Sequence, residues 1–568
     1  MNENRNMILA MVLSALVLFG WSMLSDRFFP TAAPQTQKVE DGKVTPAATP
    51  PAAGTAAPQA LRNRAQVIAE TPRVRFQTPA LSGSINLKGA RIDDLVLLKH
   101  RMTFDPNSSP VPLLNPQGTR AASFVGFGWT GNSIATPGPD TVWQASAPAL
   151  TPGKPVTLSW MNPTGQTFEI ILSIDDLYLF NVAQRVVNRS SNAVTLTPYG
   201  FASRAGRSMN ISSWTIHVGP ISVRNDKADY DVDWSSIRDA GPNGLNFAPA
   251  TGWIGFTDLY WLTALAPKSQ MTGSFVHSAN GAYQANFSGR PQTVAPGQIG
   301  SFETRVFSGA KEIAALDRYQ DAGIPLLSKA VDWGWFEWFM IPIHALLEWL
   351  FRQIGNFGVA IICLTLIVRL LLFPVAQKQF ASMGAMRKVQ PKLKALQERY
   401  KDDKPRLQQE MMKLYKEEKI NPAAGCLPIL LQIPIFYALY KVLLVSVEMR
   451  HQPFALWIKD LSAPDPLTPL NLFGYLNFTP PAVIAIGILP LLLGVTMWMQ
   501  FKLNPAQPDP VQQQIFSIMP WVMMFVMAPF AAGLMVYWIT NNILSIGQQW
   551  WLYRKYGLHL SDTHPATT

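Results

Sequence analysis

The chain has 568 residues and a formal net charge of +11, and 48% of its residues are hydrophobic while only 15% are charged. Soluble domains carry roughly 25% charged residues, so this composition favours a membrane protein whose charges lie in loops. The two cysteines, Cys363 and Cys426, both lie in apolar stretches. They exclude a disulfide-stapled exported domain and a cysteine-based metal site, and we expect no metal and no other cofactor.

An apolar run of 18 residues, MILAMVLSALVLFGWSML, begins at Met7. A cleaved signal peptide has a shorter apolar region and a small-residue cleavage site, and the SDRFFP that follows offers no clean one. We therefore predict an uncleaved signal anchor over residues 1–29, with a cleaved signal as the alternative. Residues 30–60 are rich in Pro, Ala and Thr, which is typical of an extended linker without a core of its own.

Residues 61–325 are predicted to form a large all-β sandwich. Short runs of β-branched and aromatic residues, such as VTLSW and FEIILSI, alternate with polar ones and are separated by Gly, Asn, Asp and Pro, as in sandwich strands. Asp175 and Asp176 are adjacent, so on a strand they would face opposite sides and could not form an acid/base pair. His217 and His277 are isolated. The sequence of this domain therefore indicates no catalytic site.

Aromatic residues crowd the next segment, 326–352, which carries few charges and is interrupted by polar residues and by Pro342. Tryptophan favours the headgroup level of a bilayer. The pattern predicts an amphipathic helix that lies on the outer membrane surface, and a further span is the alternative.

The region 353–556 is predicted to be a membrane core of five spans. About 20 apolar residues cross the hydrocarbon layer, and stretches of this kind lie at 357–376, 426–446, 483–500, 514–530 and 533–551. With the signal anchor they make a polytopic α-helical membrane protein of six spans. The loop 377–423 holds twelve Lys or Arg and six acidic residues. The positive-inside rule therefore places this loop, both termini and the tail 557–568 in the cytoplasm, and the β domain in the periplasm outside the inner membrane.

The cytoplasmic loop has helical periodicity with mixed charge on both sides of the turn KDDKP, which predicts a helical hairpin with a basic surface. Its functional interpretation is a docking site for a polyanion, either lipid headgroups or ribosomal RNA. The alternative is a solvated hairpin that only fixes topology. The basic side chains predicted to make such contacts, in the hairpin and at the start of the tail, are Arg387, Lys388, Lys392, Lys394, Arg399, Arg554 and Lys555.

Arg369 lies near the middle of the first core span, where a guanidinium costs at least ~2.5 kcal/mol on insertion scales. None of the five core spans contains Asp or Glu, which disfavours an ion-coupled carrier and leaves Arg369 without an acidic partner in the spans. Thr365 lies one turn earlier on the same helix face, and Tyr537 and Asn541 form a polar stripe on the last span. We expect these faces to enclose a hydrated pocket, in which water and Thr365 hold the charge. The alternative is an arginine that only snorkels to the inner interface.

A second charge in the spans, Lys441, lies five residues from the outer end of its predicted span and is expected to snorkel there. The neutral polar residues singled out in the core spans are Thr365, Gln432, Thr496, Ser517, Tyr537, Thr540, Asn541 and Asn542.

Four collinear stretches resemble the YidC/Oxa/Alb family of membrane protein insertases, in its Gram-negative form. They are IVRLLLFPVAQKQFASMGAMRKVQPKLKALQERY at 367–400, NPAAGCLPILLQIPIFYALYKVL at 421–443, SVEMRHQPFALWIKDLSAPDP at 446–466 and GLMVYWITNNILSIGQQW at 533–550. The resemblance implies an insertase and chaperone, working alone or with the Sec translocon, with a hydrophilic groove open to the cytoplasm and to lipid.

The resemblance also implies roles for individual residues. The family's groove arginine, threonine, glutamine and last-span tyrosine fall on Arg369, Thr365, Gln432 and Tyr537. Trp538 stands where the family often has a second tyrosine, so the aromatic face is kept but a hydroxyl is lost, and Asn541 completes the groove set. The slide that guides substrate helices is implied at Ile435, Phe436, Ile518 and Val522.

Such an insertase would work without a covalent step or a nucleotide, and the chain has no GxxxxGK[ST] phosphate loop. An acidic side chain of the substrate would pair transiently with Arg369 before its apolar helix enters lipid along the slide. The implied partners are nascent membrane proteins, the Sec translocon with its accessory subunits, the ribosome and inner-membrane lipid. Two other classes stay open: a polytopic transporter, disfavoured by the missing carboxylates and the lack of repeated halves, and an envelope carbohydrate-binding protein acting through the β domain.

Overall fold

The computed structural model describes the backbone of residues 61–131, 134–207, 216–400, 403–418, 427–473, 475–476, 486–503 and 510–555. The predicted signal anchor and linker, residues 1–60, lie outside these residues. Strands dominate the first half of the described chain and helices the second half. Buried residues of both halves belong to one continuous apolar core.

The strands form two sheets of eleven and nine strands within the described residues. The first sheet contains β1 (Arg73–Gln77), β2 (Leu81–Asn86), β3 (Arg91–Arg101), β4 (Pro110–Leu114), β5 (Ser123–Gly131), β7 (Ala149–Leu150), β11 (Val194–Ala205), β14 (Leu245–Asn246), β17 (Thr272–His277), β18 (Ala282–Ser288) and β19 (Gln292–Val294). The second contains β6 (Gln144–Ala145), β8 (Val156–Met161), β9 (Gln166–Ile174), β10 (Leu179–Asn188), β12 (Gly219–Arg224), β13 (Lys227–Asp229), β15 (Gly252–Thr257), β16 (Trp261–Pro267) and β20 (Ile299–Ala310).

The strand order of the first sheet is β14-β17-β18-β11-β5-β3-β2-β1-β7, with β19 paired to β11 and β4 paired to β3. The order of the second is β13-β12-β15-β16-β20-β10-β9-β8-β6. Among the pairs that the structure describes, β1 with β7 is parallel and the others are antiparallel. Neighbours along the sheets are often neighbours in sequence, as expected for hairpin-rich sandwiches.

The two sheets pack face to face. Along β9 every second residue is buried, because successive side chains on a strand point to opposite faces. Across the interface, the ring centroids of Phe76 on β1 and Phe180 on β10 are 5.3 Å apart, and those of Trp129 on β5 and Phe168 on β9 are 5.2 Å apart. Burying such a side chain stabilises the fold by ~1.5–3 kcal/mol. The predicted β-sandwich is confirmed.

The described residues also form eleven α-helices. Three belong to the β domain: α1 (Arg64–Ala69), α2 (Trp234–Asp239) and α3 (Ile313–Asp321). The helical region contains α4 (Glu337–Ile354), α5 (Phe357–Leu371), α6 (Phe373–Arg399), α7 (Lys404–Glu417), α8 (Leu427–Val445), α9 (Ile488–Leu503), α10 (Pro510–Met527) and α11 (Ala532–Lys555). In the part of the chain that the structure describes, no helix combines the length and the hydropathy that a membrane crossing needs. The six spans stay a prediction.

The first predicted core span is divided into two helices. α5 ends at Leu371 and α6 begins at Phe373. Pro374 in the first turn of α6 explains the break, because proline lacks an N–H and its ring clashes with the carbonyl four residues earlier. α6 then continues into the predicted cytoplasmic loop and packs against α7 through a small apolar core of Val389, Leu393 and Tyr415.

The segment 446–468 between α8 and α9, which we call the connector, binds the start of α5. Asn356 caps α5 by accepting from the backbone N–H of Val359 at 3.1 Å, and its Nδ2 donates to the carbonyl oxygen of Phe454 at 2.8 Å. Gly358 lies so close that a Cβ there would be 1.9 Å from the Phe454 ring. A side chain at position 358 would therefore push the connector away from α5.

The connector also binds the start of α11. The backbone N–H groups of Ala532 and Gly533 donate to the carbonyl oxygens of Ala463 and Leu461, at 2.8 and 2.9 Å. These N–H groups lie in the first turn of α11 and have no intrahelical partner there. The connector therefore joins the beginnings of two helices that are far apart in sequence.

Lys311 is buried at the base of the β domain. Its Nζ donates to Thr257 Oγ1 and to the carbonyl oxygen of Ala330, both at 3.1 Å. Burial lowers the pKa of Lys311 from 10.5 to about 7, although the carboxylates of Asp258 and Asp332 act in the opposite direction. Near neutral pH the folded chain therefore binds this proton less firmly than the unfolded chain does.

We expect the free energy of unfolding to rise with pH between about 7 and 10.5, because in this window the unfolded chain keeps a proton on Lys311 that the folded chain has lost. One such group contributes at most ~1.4 kcal/mol per pH unit. Thermal unfolding of the full chain at pH values across this window would show the rise, and Lys311→Met, which cannot titrate, should remove this part of it. Identical pH dependence in both proteins would contradict the expectation.

Candidate functional site

Arg369 lies in the last turn of α5, and its guanidinium binds α11. Nε donates to Asn541 Oδ1 at 2.8 Å, and Nη2 donates to the carbonyl oxygen of Asn541 at 3.2 Å and to Ser545 Oγ. Asn541 and Ser545 are one turn apart on the same face of α11. All three acceptors are neutral, and Arg369 forms no ion pair with any described carboxylate. Its positive charge is therefore hydrogen-bonded but not neutralised.

One nitrogen of the same guanidinium forms no hydrogen bond with the described residues. A guanidinium has five N–H donors, and the three bonds to α11 involve Nε and Nη2. Nη1 has no hydrogen-bond partner among the residues that the structure describes, and the Arg369 side chain is only half-buried. The two N–H groups of Arg369 Nη1 can therefore donate to an acceptor from outside the chain, such as a carboxylate.

A second contact joins α8 to α11 beside Arg369. Gln432 Nε2 donates to the hydroxyl of Tyr537 at 2.6 Å. Tyr537, Asn541 and Ser545 follow one another at four-residue spacing and are all buried, so they line one face of α11. We refer to Arg369, Gln432, Tyr537, Asn541 and Ser545 as the arginine cluster. It places one cation among neutral polar groups from three helices.

The sequence predicts that Thr365 helps to hold the charge of Arg369, but in the structure the two side chains are not bonded to each other. It is buried on α5, and its Oγ1 donates to the carbonyl oxygen of Ile361 at 2.7 Å. A threonine inside a helix can satisfy its hydroxyl on the carbonyl four residues earlier, and this bond keeps Thr365 on its own helix. The Arg369 guanidinium is bound to Asn541 and Ser545 of α11 instead.

Ser545 is the member of the arginine cluster that sequence reasoning missed. The signal was present, because Ser545 lies four residues after Asn541 and eight after Tyr537 and so continues the polar stripe of the last helix. Its Oγ accepts from Arg369 and also donates to the carbonyl oxygen of Asn541 at 2.7 Å. Ser545 therefore fixes the orientation of the guanidinium from the side opposite Tyr537.

Apolar residues of the implied slide lie on α8 and α10. Phe436 packs against Trp538 of α11, with ring centroids 4.8 Å apart. Ile518 and Val522, one turn apart on α10, are 42% and 47% exposed. Ile435 is buried instead, because adjacent residues on a helix point about 100° apart, so its side chain is not available to an incoming helix.

The predicted basic contact residues are only partly described. Lys392 Nζ on α6 pairs with Glu418 Oε1 at 2.5 Å. Arg399 lies 5.8 Å from the Tyr400 ring centroid, and Arg554 lies 3.9 Å from that of Trp550. The side chains of Arg387, Lys388, Lys394 and Lys555 lie outside the described residues. The polyanion site therefore stays a prediction.

The sequence predicts that Lys441 snorkels to the outer end of its span, but in the structure its side chain is buried. Its side chain is 1% exposed, and its Nζ lies 3.8 Å from Asp332 Oδ2. The carboxylate comes from the segment between α3 and α4, outside every predicted span. A search for acidic partners within the spans could therefore not find it.

The fold joins a two-sheet β-sandwich to a helical region in which one arginine is held by neutral polar groups. Family models match both parts: "YidC periplasmic domain" covers residues 73–346 and "60Kd inner membrane protein" covers residues 349–558. The chain belongs to the YidC family of membrane protein insertases.

Individual relatives agree over nearly the whole length. The membrane protein insertase YidC of Zymomonas mobilis subsp. mobilis is 48% identical over 559 residues, which cover 98% of this chain and 96% of that protein. The YidC of Rhizobium meliloti is 43% identical over 579 residues, covering 98% and 97%. A crystal structure of an active YidC insertase with its first transmembrane domain resolved is 19% identical, with a TM-score of 0.35 and coverage of 84% and 92%. Membership of an insertase family decides against an enzyme, a transporter and a carbohydrate-binding protein.

Proposed function

We propose that the chain inserts newly made membrane proteins, and helps them fold, by binding an acidic side chain of the substrate at Arg369. The observation that carries this proposal is the state of the guanidinium, which is held by neutral acceptors while Nη1 has no partner among the described residues. Attraction between unit charges grows from about 1 kcal/mol in water to about 4 kcal/mol at a protein-like dielectric, both at 4 Å. A substrate carboxylate would therefore be drawn to this site and could leave it again.

Release of the substrate follows from its own apolar helix. Phe436 packs on Trp538 of α11, next to Tyr537, and Ile518 and Val522 expose apolar surface on α10. These residues would guide that helix towards lipid. Burial of apolar surface contributes about 25 cal/mol per Å², so a helix of ordinary size gains more in the membrane than its carboxylate loses on leaving Arg369. Thr365 and Trp538 would line the groove without binding the charge, and Ile435 would support it from the core.

The proposed location is the bacterial inner membrane, with six spans, both termini in the cytoplasm and the β domain in the periplasm. The proposed organisation has a signal anchor over 1–29, a linker over 30–60, the β domain over 61–325, an interfacial helix over 326–352, the core over 353–556 with a hairpin over 377–423, and a tail over 557–568. The basic loop supports this orientation. The exposed indoles of Trp335, just before α4, and of Trp338 and Trp349 on α4 support contact with a headgroup layer.

The proposed partners are nascent membrane proteins and, beyond them, the Sec translocon with its accessory subunits, the ribosome and inner-membrane lipid. The excess of basic residues in the loop 377–423 supports a polyanionic partner there. Lys392, Arg399 and Arg554 would contribute to that contact, together with Arg387, Lys388, Lys394 and Lys555.

Photo-crosslinking tests the proposed path of the substrate. A crosslinker at Phe436 or at Ile518 is expected to capture a ribosome-stalled nascent chain with one transmembrane segment, because both residues lie on the proposed slide. Trp349 is the matched control, since it is an exposed aromatic residue of α4 and lies outside the arginine cluster and the slide. Equal capture of the nascent chain from all three positions, or capture from Trp349 alone, would reject this path.

A further inference from the structure

An ion pair with a buried ammonium joins α8 to the segment that follows the β domain, at the end of the helix away from the arginine cluster. The Lys441 side chain is 1% exposed, and its Nζ has no hydrogen-bond partner among the described residues. Asp332 Oδ2 lies 3.8 Å from it. An ammonium taken out of water without a counter-ion is very costly. Lys441 can therefore stay buried only while the Asp332 carboxylate is beside it.

Asp332 is itself fixed to the β domain. Its Oδ2 accepts from the backbone N–H of His217 at 2.8 Å, and its Oδ1 accepts from the backbone N–H of Gly334 at 2.9 Å. His217 lies two residues before β12. The bond from His217 thus holds the carboxylate on the β domain. The ion pair therefore ties the position of α8 to that of the β domain.

The residues that follow α8 strengthen this junction. Glu448 Oε1 accepts from the backbone N–H of Ile313 at 3.1 Å, and this N–H is in the first turn of α3, where helices have unpaired donors. Arg450 donates to the carbonyl oxygens of Arg101 and Met102, at 2.7 and 3.2 Å, at the end of β3. Three separate parts of the β domain therefore hold the outer end of α8.

Pro434 lies in α8 between this anchored end and the arginine cluster. A proline removes one hydrogen bond of the helix and favours a kink. Gln432 is nine residues from Lys441, or about 14 Å at 1.5 Å per residue. The direction of the anchored half of α8 therefore sets where Gln432 and Phe436 are placed.

We infer that Asp332 is a positioning residue for insertion, because its carboxylate keeps the Lys441 ammonium in the junction between α8 and the β domain. While the pair is intact, the outer half of α8 stays on the β domain, Gln432 stays bonded to Tyr537, and Phe436 stays against Trp538. Without the carboxylate, the ammonium moves to water and α8 moves with it. Neither residue touches the substrate. The inference rests on the proposed function, because it takes the arginine cluster and the slide as the place where substrate is handled.

The two single substitutions should differ in a specific way. Asp332→Asn leaves the Lys441 ammonium buried without a counter-ion. An uncompensated buried charge strongly destabilises a fold. Lys441→Met places an apolar side chain in the junction and leaves Asp332 bonded to two backbone N–H groups. We expect Asp332→Asn to slow insertion about tenfold, and we expect Lys441→Met and the double variant Lys441→Met/Asp332→Asn to stay within about twofold of the wild type. The second substitution should thus rescue the first.

The distance across the arginine cluster provides a readout that does not depend on insertion. Spin labels at Ile433 on α8 and Ile543 on α11, which are 57% and 54% exposed, are introduced after both native cysteines are replaced by alanine. Pulsed electron paramagnetic resonance should give similar distance distributions for the wild type, Lys441→Met and the double variant, and a shifted or broadened one for Asp332→Asn. Asp321→Asn, which removes an exposed carboxylate from α3, is the matched control and should change neither distance nor insertion.

Unchanged distances in Asp332→Asn would overturn the inference, and so would a double variant that inserts no faster than Asp332→Asn. A shifted distance with normal insertion would overturn the link to insertion. If Asp332→Asn does not accumulate in cells, the test rests on the double variant. Normal accumulation and insertion by the double variant would support the inference, and their absence would overturn it. Failure of the proposed function is seen separately, as normal insertion by Arg369→Ala, and leaves the distances untouched.

Discussion

Arg369→Ala is expected to slow the insertion of a single-span substrate with an acidic translocated segment by at least about 100-fold, which corresponds to ~2.7 kcal/mol. The substitution removes the cation that would bind the substrate carboxylate and leaves only neutral groups in the cluster. Arg369→Lys should retain more activity, because it keeps the charge but cannot reproduce the three hydrogen bonds to Asn541 and Ser545. Protease protection of the translocated segment in reconstituted vesicles measures the effect.

Two controls separate charge recognition from damage to the fold. Arg352 of α4 is an exposed arginine that pairs with Glu348, and Arg352→Ala should insert normally. A substrate in which the acidic residues of the translocated segment are replaced by their amides should lose most of its dependence on Arg369. Equal loss for the acidic and the amide substrate would show that Arg369 supports the structure and does not recognise a carboxylate.

Asn541→Asp is expected to block insertion of acidic substrates at least about tenfold while raising the thermal stability of the chain. The substitution is nearly isosteric and places a carboxylate where Arg369 Nε now meets an amide oxygen at 2.8 Å. The new carboxylate would neutralise the guanidinium and compete with the carboxylate of the substrate, because charge-assisted hydrogen bonds are roughly twice as strong as neutral ones. Insertion and unfolding temperature, measured on the same preparation, should thus move in opposite directions.

Asn542 provides the matched comparison on the neighbouring position of α11. Its Nδ2 donates to Thr496 Oγ1 at 3.1 Å, and its side chain is buried and has no hydrogen bond to a cation among the described residues. Asn542→Asp should therefore lower the unfolding temperature, since it buries a charge without a counter-ion. If Asn541→Asp inserted acidic substrates as well as the wild type, capture of a carboxylate by Arg369 would be ruled out.

Local patterns in the sequence predicted the features that depend on one element at a time. The alternation in QTFEIILSI reflects the two faces of a single strand, so β9 could be recognised and the sandwich inferred. The spacing of Tyr537 and Asn541 reflects one face of a single helix, so the polar stripe of α11 could be recognised as well. The break at Leu372 was readable from Pro374, but the continuous hydropathy of 357–376 outweighed it in the prediction.

Contacts between elements were harder to predict because they depend on how far one element is rotated or shifted against another. The sequence allowed Thr365 to serve Arg369, but a threonine can equally bond to its own helix, and it does so here. Lys441 lies within a predicted span, whereas its partner lies outside every predicted span. Its partner Asp332 is brought to it by the docking of the β domain, which no periodicity within α8 could reveal.

The hydrogen bonds of Arg369 also set an order for the biosynthesis of this chain. Asn541 and Ser545 follow Arg369 by 172 and 176 residues, so the ribosome makes them well after α5. Until α11 has emerged and docked on the connector, the guanidinium of α5 lacks the three bonds that hold it in the mature protein. A half-made copy therefore carries an unsatisfied charge on an apolar helix, which is the kind of nascent segment that a finished insertase would have to accommodate.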